Sequence, residues 1–178
     1  MEKIYETAYA KINLGLDVLG KRSDGYHEVR MVMQSVGLSD AVEIEEGEGL
    51  VVETDHSGLA GGPDNLAWKA AELLARCCGK IPNVHIRLNK KIFLAAGLAG
   101  GSSDAAAVMR GLSRLWQLDL TAPELEKLAA ELGSDIPFCI TGGTALAEGR
   151  GEILTELPEA PELLLVLAKP KLEVATGW

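Results

Sequence analysis

A glycine-rich segment near the middle of the chain carries the strongest chemical signal in the sequence. Glycine has no Cβ and accepts positive φ, so a backbone rich in it can turn sharply and lie close to a ligand. Backbone N–H groups at such a turn, followed by a helix N-terminus, form an anion site. The segment therefore predicts a phosphate-binding loop, called here the phosphate loop, made of Ala95, Ala96, Gly97, Leu98, Ala99, Gly100, Gly101, Ser102 and Ser103.

The residues around the phosphate loop leave a simpler alternative open. An apolar run ends at Leu94 and a helical pattern starts at Ala105. An ordinary strand-to-helix turn, with Ser103 or Asp104 as N-cap, would suit the same residues. Two other phosphate motifs are excluded, because the segment has neither the GxxxxGK(S/T) pattern nor the GxGxxG spacing of dinucleotide folds. The serine hydroxyl groups favour the phosphate interpretation, since they can bind phosphate oxygens or a Mg²⁺-bound water.

Two further polar stretches contain candidates for chemistry. Apolar and polar residues alternate over residues 10–19, which predicts a strand with one face in the core and with Lys11 and Asn13 on the other face. Asp135 follows Gly133, the glycine that ends a predicted helix. Taken alone, Lys11 is typical of a solvated strand face and Asp135 of a turn or an N-cap.

These stretches together resemble the GHMP kinases, a family that includes galactokinase and the homoserine, mevalonate and phosphomevalonate kinases. Four segments carry the resemblance, and they correspond to the family's first strand, substrate signature, ATP loop and catalytic turn: Ala10–Leu14, Asp24–His27, Gly97–Ser103 and Gly133–Pro137. The resemblance implies catalytic roles for Lys11 and Asp135. It also implies an ATP site formed by the phosphate loop and Asn65, and substrate contacts from Asn13, Tyr26 and His27.

The form of the phosphate loop narrows the resemblance to one branch of the family. Its two glycines followed by Ser-Ser-Asp-Ala-Ala, together with Asp-Gly-Tyr-His, are similar to kinases that act on 4-diphosphocytidyl-2-C-methyl-D-erythritol. The implied reaction is transfer of the γ-phosphoryl group of ATP to the 2-hydroxyl of that substrate, in isoprenoid biosynthesis. Tyr26 would stack on the cytosine and His27 would hydrogen-bond its edge. Lys11 would polarise the hydroxyl, and Asp135 would orient it or take its proton.

Mg²⁺ is implied as the companion of ATP, held by phosphates, water and a loop serine rather than by a protein metal site. Two alternatives stay open: a related kinase of another small alcohol, and a non-catalytic fragment that keeps the ATP loop. The sequence departs from the family where Phe93 replaces a usual proline and where Ala175 replaces a usual serine.

Charge and composition limit the partners. A net charge of −9 over 178 residues disfavours nucleic acid and anionic membranes. The N-terminus has no basic segment followed by an apolar one, and no apolar run reaches the ~18 residues of a membrane span. We expect a cytoplasmic protein with a small-molecule substrate. The three cysteines are an odd count without CxxC spacing, so we interpret them as reduced thiols.

The predicted fold is α/β, and the resemblance implies the ribosomal protein S5 domain 2-like fold, a mixed sheet covered on one side by helices. Residues 1–178 would form the N-terminal domain of such a kinase, with 169–178 starting the connection to a C-terminal domain that we expect to be absent. We expect this chain alone to self-associate and to lack kinase activity. The remaining pattern predicts about three major helices, which start near residues 65, 105 and 121. Asp64 or Asn65 would cap the first helix, so capping explains Asn65 almost as well as a nucleotide contact, and Thr121 with Glu124 would form a capping box on the third. Strands are predicted at 29–36, 41–45, 50–54, 84–88, 144–147 and 163–167, with a hairpin between 41–45 and 50–54 and with 163–167 as a buried apolar strand.

Overall fold

A six-stranded mixed sheet forms one layer of the protein, and four helices pack on one of its faces. The computed structural model describes residues 3–170. The elements in chain order are β1 Lys3–Lys21, β2 His27–Glu46, β3 Leu50–Thr54, α1 Leu66–Cys77, β4 Val84–Asn89, α2 Gly100–Leu115, α3 Ala122–Ala129, α4 Ile136–Thr141, β5 Thr144–Glu148 and β6 Ile153–Glu156. The predicted α/β class and the one-sided helical layer are confirmed.

The sheet is organised around β2, which is long enough to pair with three other strands. It pairs antiparallel with β1 along most of its length, with β4 through its second half and with β5 through its first half. The strands predicted at 29–36 and 41–45 are therefore parts of one strand. The order β3-β4-β2-β5-β6 results, with β1 on the other side of β2.

The hairpin predicted between residues 41–45 and 50–54 is wrong. β3 pairs parallel with β4, and β4 lies between β3 and β2. The glycine turn after β2 contacts Asn83, the residue before β4: Gly47 N–H donates to its carbonyl at 3.1 Å and Gly49 N–H to its side-chain oxygen at 3.2 Å. Those bonds attach the turn to β4, so the chain crosses that strand's end instead of folding back on β2.

The core lies between the sheet and helices α1 and α2. Alternate residues of β2 and β4 point into it, including Val42 and Ile44. Gly111 allows α2 to approach the sheet closely, since a Cβ there would lie 2.5 Å from Ile44 Cδ1. The predicted Thr121–Glu124 capping box of α3 is confirmed. The short helix α4 was not predicted, and Phe138 from it packs in a second apolar cluster with residues of β2 and β5.

Two other predictions about buried apolar strands are wrong. The apolar side chains in the second half of β1 are exposed, among them Leu14 and Leu16, because core contacts from β1 come only from its first half. Residues 163–167 form no strand, and Leu164 and Val166 are 97% and 96% exposed. The predicted connection over 169–178 lies almost wholly outside the described residues. Within residues 3–170, no helix is long and apolar enough to cross a membrane.

Candidate active site

The phosphate loop leads directly into the N-terminus of α2. The helix begins at Gly100, earlier than the predicted Ala105, and Ala99 is its N-cap residue. The N–H of Ser103 donates to the Ala99 carbonyl at 2.8 Å. The N–H groups of Gly100, Gly101 and Ser102 therefore precede the first helical hydrogen bond and point out of the helix end. Three adjacent N–H donors at the positive end of a four-turn helix have the geometry that suits an anion.

The backbone of the phosphate loop is strained at two alanines. Ala95 and Ala99 have φ values of 49° and 58°, in the left-handed region, where Gly97 also lies with a φ of 70°. A residue with a Cβ costs roughly 1–2 kcal/mol in that conformation. The surrounding structure holds both alanines there, which is typical of backbone that presents groups to a ligand.

The Ser103 side chain is used by the fold. It is buried, and its hydroxyl donates to the Tyr9 carbonyl at 2.6 Å and lies 3.4 Å from the Cys139 sulfur. Burial raises the pKa of the Cys139 thiol to about 11, so that thiol is inert. Neither Ser103 nor Asp104 is the N-cap that the simpler interpretation of the loop required. The hydroxyl of Ser102 is the serine hydroxyl of the loop that is not committed in this way.

Lys11, Asn13 and Asp135 come together beside the phosphate loop. The Lys11 ammonium lies 3.4 Å from an Asp135 carboxylate oxygen and donates to the Asn13 side-chain oxygen at 3.1 Å. The Lys11 N–H donates to the Leu98 carbonyl at 3.1 Å, which attaches the loop to β1. The simpler of the two interpretations of Lys11, a solvated strand face, is excluded because the residue is only 4% exposed.

Local irregularity explains how Lys11 enters the interior. Tyr9 pairs with Ser39 but Lys11 pairs with Ser35, so the register of β1 against β2 jumps between them. Ala10 and Lys11 are buried in succession as a result, and the period of two is broken. Asp135 occupies the N-cap position of α4, yet its side chain makes no capping hydrogen bond. Its carboxylate is one-third exposed and faces the Lys11 ammonium.

Tyr26 and His27 are exposed at the tip of the β1–β2 hairpin. The Arg150 guanidinium lies over the Tyr26 ring, 4.9 Å from its centroid. The next residue, Gly151, lies close to Ser134, which directly precedes Asp135: a Cβ added to Gly151 would be 3.8 Å from the Ser134 Cβ. The turn that carries Arg150 thus connects the Tyr26 ring to the Lys11–Asp135 corner. Sequence reasoning missed Arg150, although the Gly-Arg-Gly turn was visible.

Asn65 has the structural role that the sequence left open. It is the N-cap of α1, its side-chain oxygen accepts from the Ala67 N–H at 2.9 Å, and its amide donates to the Ala60 carbonyl at 2.8 Å. The residue is nearly buried. Its side-chain groups are therefore already paired, and its predicted contact with the nucleotide stays a prediction.

A buried ionic cluster behind the phosphate loop was also missed. The Lys90 ammonium contacts the carboxylates of both Asp40 and Asp104, and all three side chains are at most 2% exposed. Burial raises the pKa of Asp104 to about 7, an effect that Lys90 partly offsets and Asp40 reinforces. The available signal was a charged residue beside each of two apolar strand patterns, since Asp40 directly precedes the predicted strand 41–45 and Lys90 directly follows β4.

Comparison with known proteins agrees with this geometry. Residues 65–143 match the family model described as GHMP kinases N terminal domain. The chain is 50% identical over 179 residues to a 4-diphosphocytidyl-2-C-methyl-D-erythritol kinase of Acetivibrio thermocellus, and the match covers 100% of this chain and 63% of that protein. It is 53% identical over 173 residues to a kinase of the same name from Synechococcus sp. (strain JA-3-3Ab), covering 96% of this chain and 56% of that protein.

A solved structure supports the same assignment. The chain superimposes on a crystal structure of 4-(cytidine 5'-diphospho)-2C-methyl-D-erythritol kinase with a TM-score of 0.74 and 39% identity, over 86% of this chain and 55% of that one. The chain therefore spans little more than half the length of the relatives that it matches. The sequence match, the shared fold and the loop geometry agree: residues 65–143 match the N-terminal domain of the GHMP kinases, and nearly the whole chain is similar to part of a longer kinase of that kind.

Proposed function

We propose that the chain is the nucleotide-binding part of a kinase that transfers the γ-phosphoryl group of ATP to the 2-hydroxyl of 4-diphosphocytidyl-2-C-methyl-D-erythritol. The relatives at about half identity carry that activity in their names. The observation that carries the proposal is the Lys11–Asp135 pair, 3.4 Å apart, joined to the phosphate loop through the Lys11–Leu98 hydrogen bond. This arrangement supports a site in which a carboxylate and an ammonium lie beside the loop that would bind the phosphates.

The reaction needs these groups because phosphoryl transfer depends on positioning and charge neutralisation more than on covalent help. The N–H groups of Gly100, Gly101 and Ser102 would bind the terminal phosphates of ATP. Asp135 would orient the attacking hydroxyl and accept its proton as the new phosphate ester bond forms. Lys11 would neutralise charge between that carboxylate and the transferred group, and Asn13 would hold the Lys11 ammonium in place.

The residues present fit Mg²⁺ held mainly by the nucleotide. The described residues contain no group of three His, Cys, Asp or Glu side chains that could hold a metal ion. Mg²⁺ commonly keeps several waters and binds through substrate phosphates with one or two protein oxygens. The Ser102 hydroxyl is the side chain of the loop that suits this role. Bound there, the ion would offset the charge of the phosphates during transfer.

The hairpin tip would bind the other end of the substrate. A cytosine would stack on the Tyr26 face opposite Arg150, and His27 would contact the base edge. Arg150 lies over the Tyr26 ring, and its neighbour Gly151 lies beside Ser134, the residue before Asp135. A substrate that runs from the ring to the corner would pass its diphosphate beside that guanidinium, which suits Arg. The small-molecule partner is therefore a cytidine diphosphate conjugate with a free tertiary hydroxyl.

A kinase assay on the protein translated from the complete reading frame tests the proposal. The assay follows ADP release and the phosphorylated product with the cytidyl substrate, homoserine and mevalonate as acceptors. We expect turnover with the cytidyl substrate only, and loss of turnover by roughly 10²-fold or more in Asp135→Asn, with ATP affinity little changed. Asp119→Asn, at an exposed position, is the matched control. Equal turnover with another alcohol, or an active Asp135→Asn, would refute the assignment.

A further inference from the structure

The two ends of the phosphate loop are attached to a single buried cluster, called here the tether, which consists of Asp40, Lys90 and Asp104. Shortly before the loop begins, an Asp40 carboxylate oxygen accepts hydrogen bonds from the N–H groups of Lys91 and of Ile92, the latter at 2.8 Å. At the other end, Asp104 lies in the second turn of α2. The Lys90 ammonium contacts both carboxylates and so joins the two ends.

The tether is poorly suited to a purely stabilising role. It is buried, and it places two carboxylates against one ammonium, so it has an excess negative charge when both are ionised. The second carboxylate oxygen of Asp104 is buried and has no hydrogen-bond partner. Buried ion pairs are weak contributors to stability, and apolar residues often replace them without loss. An unpaired buried oxygen makes the arrangement less favourable still.

The tether is well placed to determine the shape of the loop. The Lys90 ammonium lies only 3.7 Å from the point where a Cβ on Gly100 would lie, and Ile92 packs against the same glycine. Gly100 begins the row of free N–H donors. Those donors bind one anion only if they converge, and a loop that must be ordered on binding loses affinity through entropy. Because Ile92 and Asp104 are both fixed to one cluster, the loop is already ordered before it binds an anion, and this entropic cost is avoided.

We propose that Asp40, Lys90 and Asp104 are positioning residues that set the anion affinity of the phosphate loop by fixing its two ends relative to each other. The proposal rests on the proposed function in taking the anion to be the phosphate chain of a nucleotide. It acts through geometry, because the charge of the tether works in the opposite direction. An excess negative charge behind the loop repels a phosphate, so a neutral residue at position 104 should strengthen binding.

Two variants separate geometry from charge. Asp104→Asn keeps the shape and the hydrogen bond to Lys90 but removes the excess charge. The double variant Lys90→Met with Asp104→Asn removes one positive and one negative group, so the tether keeps the net charge of its fully ionised form. It loses the ionic contacts through which Lys90 joins Asp40 to residue 104. Asp119→Asn again serves as the control. Affinity is measured by calorimetry with inorganic tripolyphosphate and with ATP at pH 5.5 and pH 8.5, and amide hydrogen exchange follows the N–H groups of Lys91 and Ile92.

The proposal predicts opposite outcomes for the two variants. At pH 8.5, Asp104→Asn should bind tripolyphosphate roughly three- to tenfold more tightly than the wild-type chain, since one unit charge near the loop is removed. At pH 5.5 the two should bind alike, because Asp104 is then protonated. The double variant should bind about tenfold more weakly and should exchange the Lys91 and Ile92 amides faster, with exchange in α1 unchanged.

A double variant that binds like the wild-type chain would overturn the proposal, and so would a wild-type chain that binds no tripolyphosphate. A loss of affinity accompanied by faster exchange throughout α1 would also count against it, since that result indicates general unfolding. The kinase assay on the complete protein is independent of these results. If tripolyphosphate binding depends on the tether but the complete protein does not phosphorylate the cytidyl substrate, the positioning role of the tether is supported and the proposed function is refuted.

Discussion

The Asp104 carboxyl should make the stability of the fold depend on pH in an unusual direction. Acidic groups in folded proteins more often have lowered pKa values and stabilise the fold as pH rises. Burial instead raises the pKa of Asp104 from 3.8 to about 7. The folded protein therefore retains a proton that the unfolded chain releases near pH 4. Between those two values the free energy of unfolding contributed by this group falls as pH rises, and above pH 7 it is constant.

The size of the effect follows from the size of the rise. Each pKa unit corresponds to 1.36 kcal/mol, so the full rise is worth about 4 kcal/mol as an upper limit. From pH 5 to pH 8 the expected loss is about 2–3 kcal/mol, because titration of the unfolded chain is nearly complete by pH 5. Asp104→Asn has no such proton. The stability of this variant relative to the wild-type chain should therefore increase by about 2–3 kcal/mol over that interval.

Urea unfolding followed by circular dichroism at four pH values between 5 and 8 measures this difference. Comparing the variant with the wild-type chain cancels the other titrating groups, including Glu43 and Glu45, whose pKa values are lowered by hydrogen bonds from Lys3. Asp119→Asn should follow the wild-type curve at every pH. Parallel curves for Asp104→Asn and the wild-type chain would refute the reasoning, because they would mean that Asp104 is ionised in the folded state throughout.

Three more predictions concern the hairpin tip, the loop backbone and the exposed apolar segment. Tyr26→Ala should weaken binding of the cytidyl substrate by roughly 1–3 kcal/mol in calorimetry, by analogy with other base–aromatic stacks, and leave ATP binding intact; equal loss for both ligands would indicate misfolding. Because the φ of Ala95 is positive, Ala95→Gly should be neutral or should stabilise the fold by up to about 1 kcal/mol in thermal unfolding. Ala96→Gly, at a residue without positive φ, should destabilise the fold by a similar amount. Equal effects of the two substitutions would show that the backbone at Ala95 is not strained. The wild-type chain should self-associate through the exposed side chains of Leu164 and Val166, and light scattering should detect the larger species. A variant with lysine at both positions should be a monomer, and a monomeric wild-type chain would refute this prediction.

Features with local causes could be predicted from the sequence. The capping box of Thr121 and Glu124 and the N-cap at Asn65 need only a few adjacent residues. The turn before α2 was located for the same reason, since Gly97, Gly100 and Gly101 permit a sharp turn within a few residues. The start of α2 was placed five residues too late because glycine and serine are weak helix formers, and the helix is held at Gly100 by packing against Ile92.

Features with distant causes could not be predicted. Nothing near Leu50 in the sequence reveals that β4 separates β3 from β2, because that order depends on bonds to Asn83. The tether likewise joins residues 50 and 14 positions apart, Asp40 with Lys90 and Lys90 with Asp104. Arg150 reaches Tyr26 across more than a hundred residues. Motifs predicted candidate site residues from a few adjacent positions, whereas contacts between distant residues are visible only in the fold.

At three positions in the candidate site the structure overrides a local conformational preference, and this supports a functional role for the site. Asp is among the best N-cap residues, and a capping bond is worth about 1 kcal/mol, yet Asp135 leaves α4 uncapped by its side chain. Alternation would expose Lys11, yet a register jump buries it. Alanine avoids positive φ, yet Ala99 adopts it where the anion donors begin. Each local preference is overridden within one small region: Lys11 and Asp135 face each other, and Ala99 lies one residue after Leu98, whose carbonyl accepts the Lys11 N–H. Proteins break local rules mainly where a site requires it, so the coincidence of three exceptions is itself an argument for chemistry at this position.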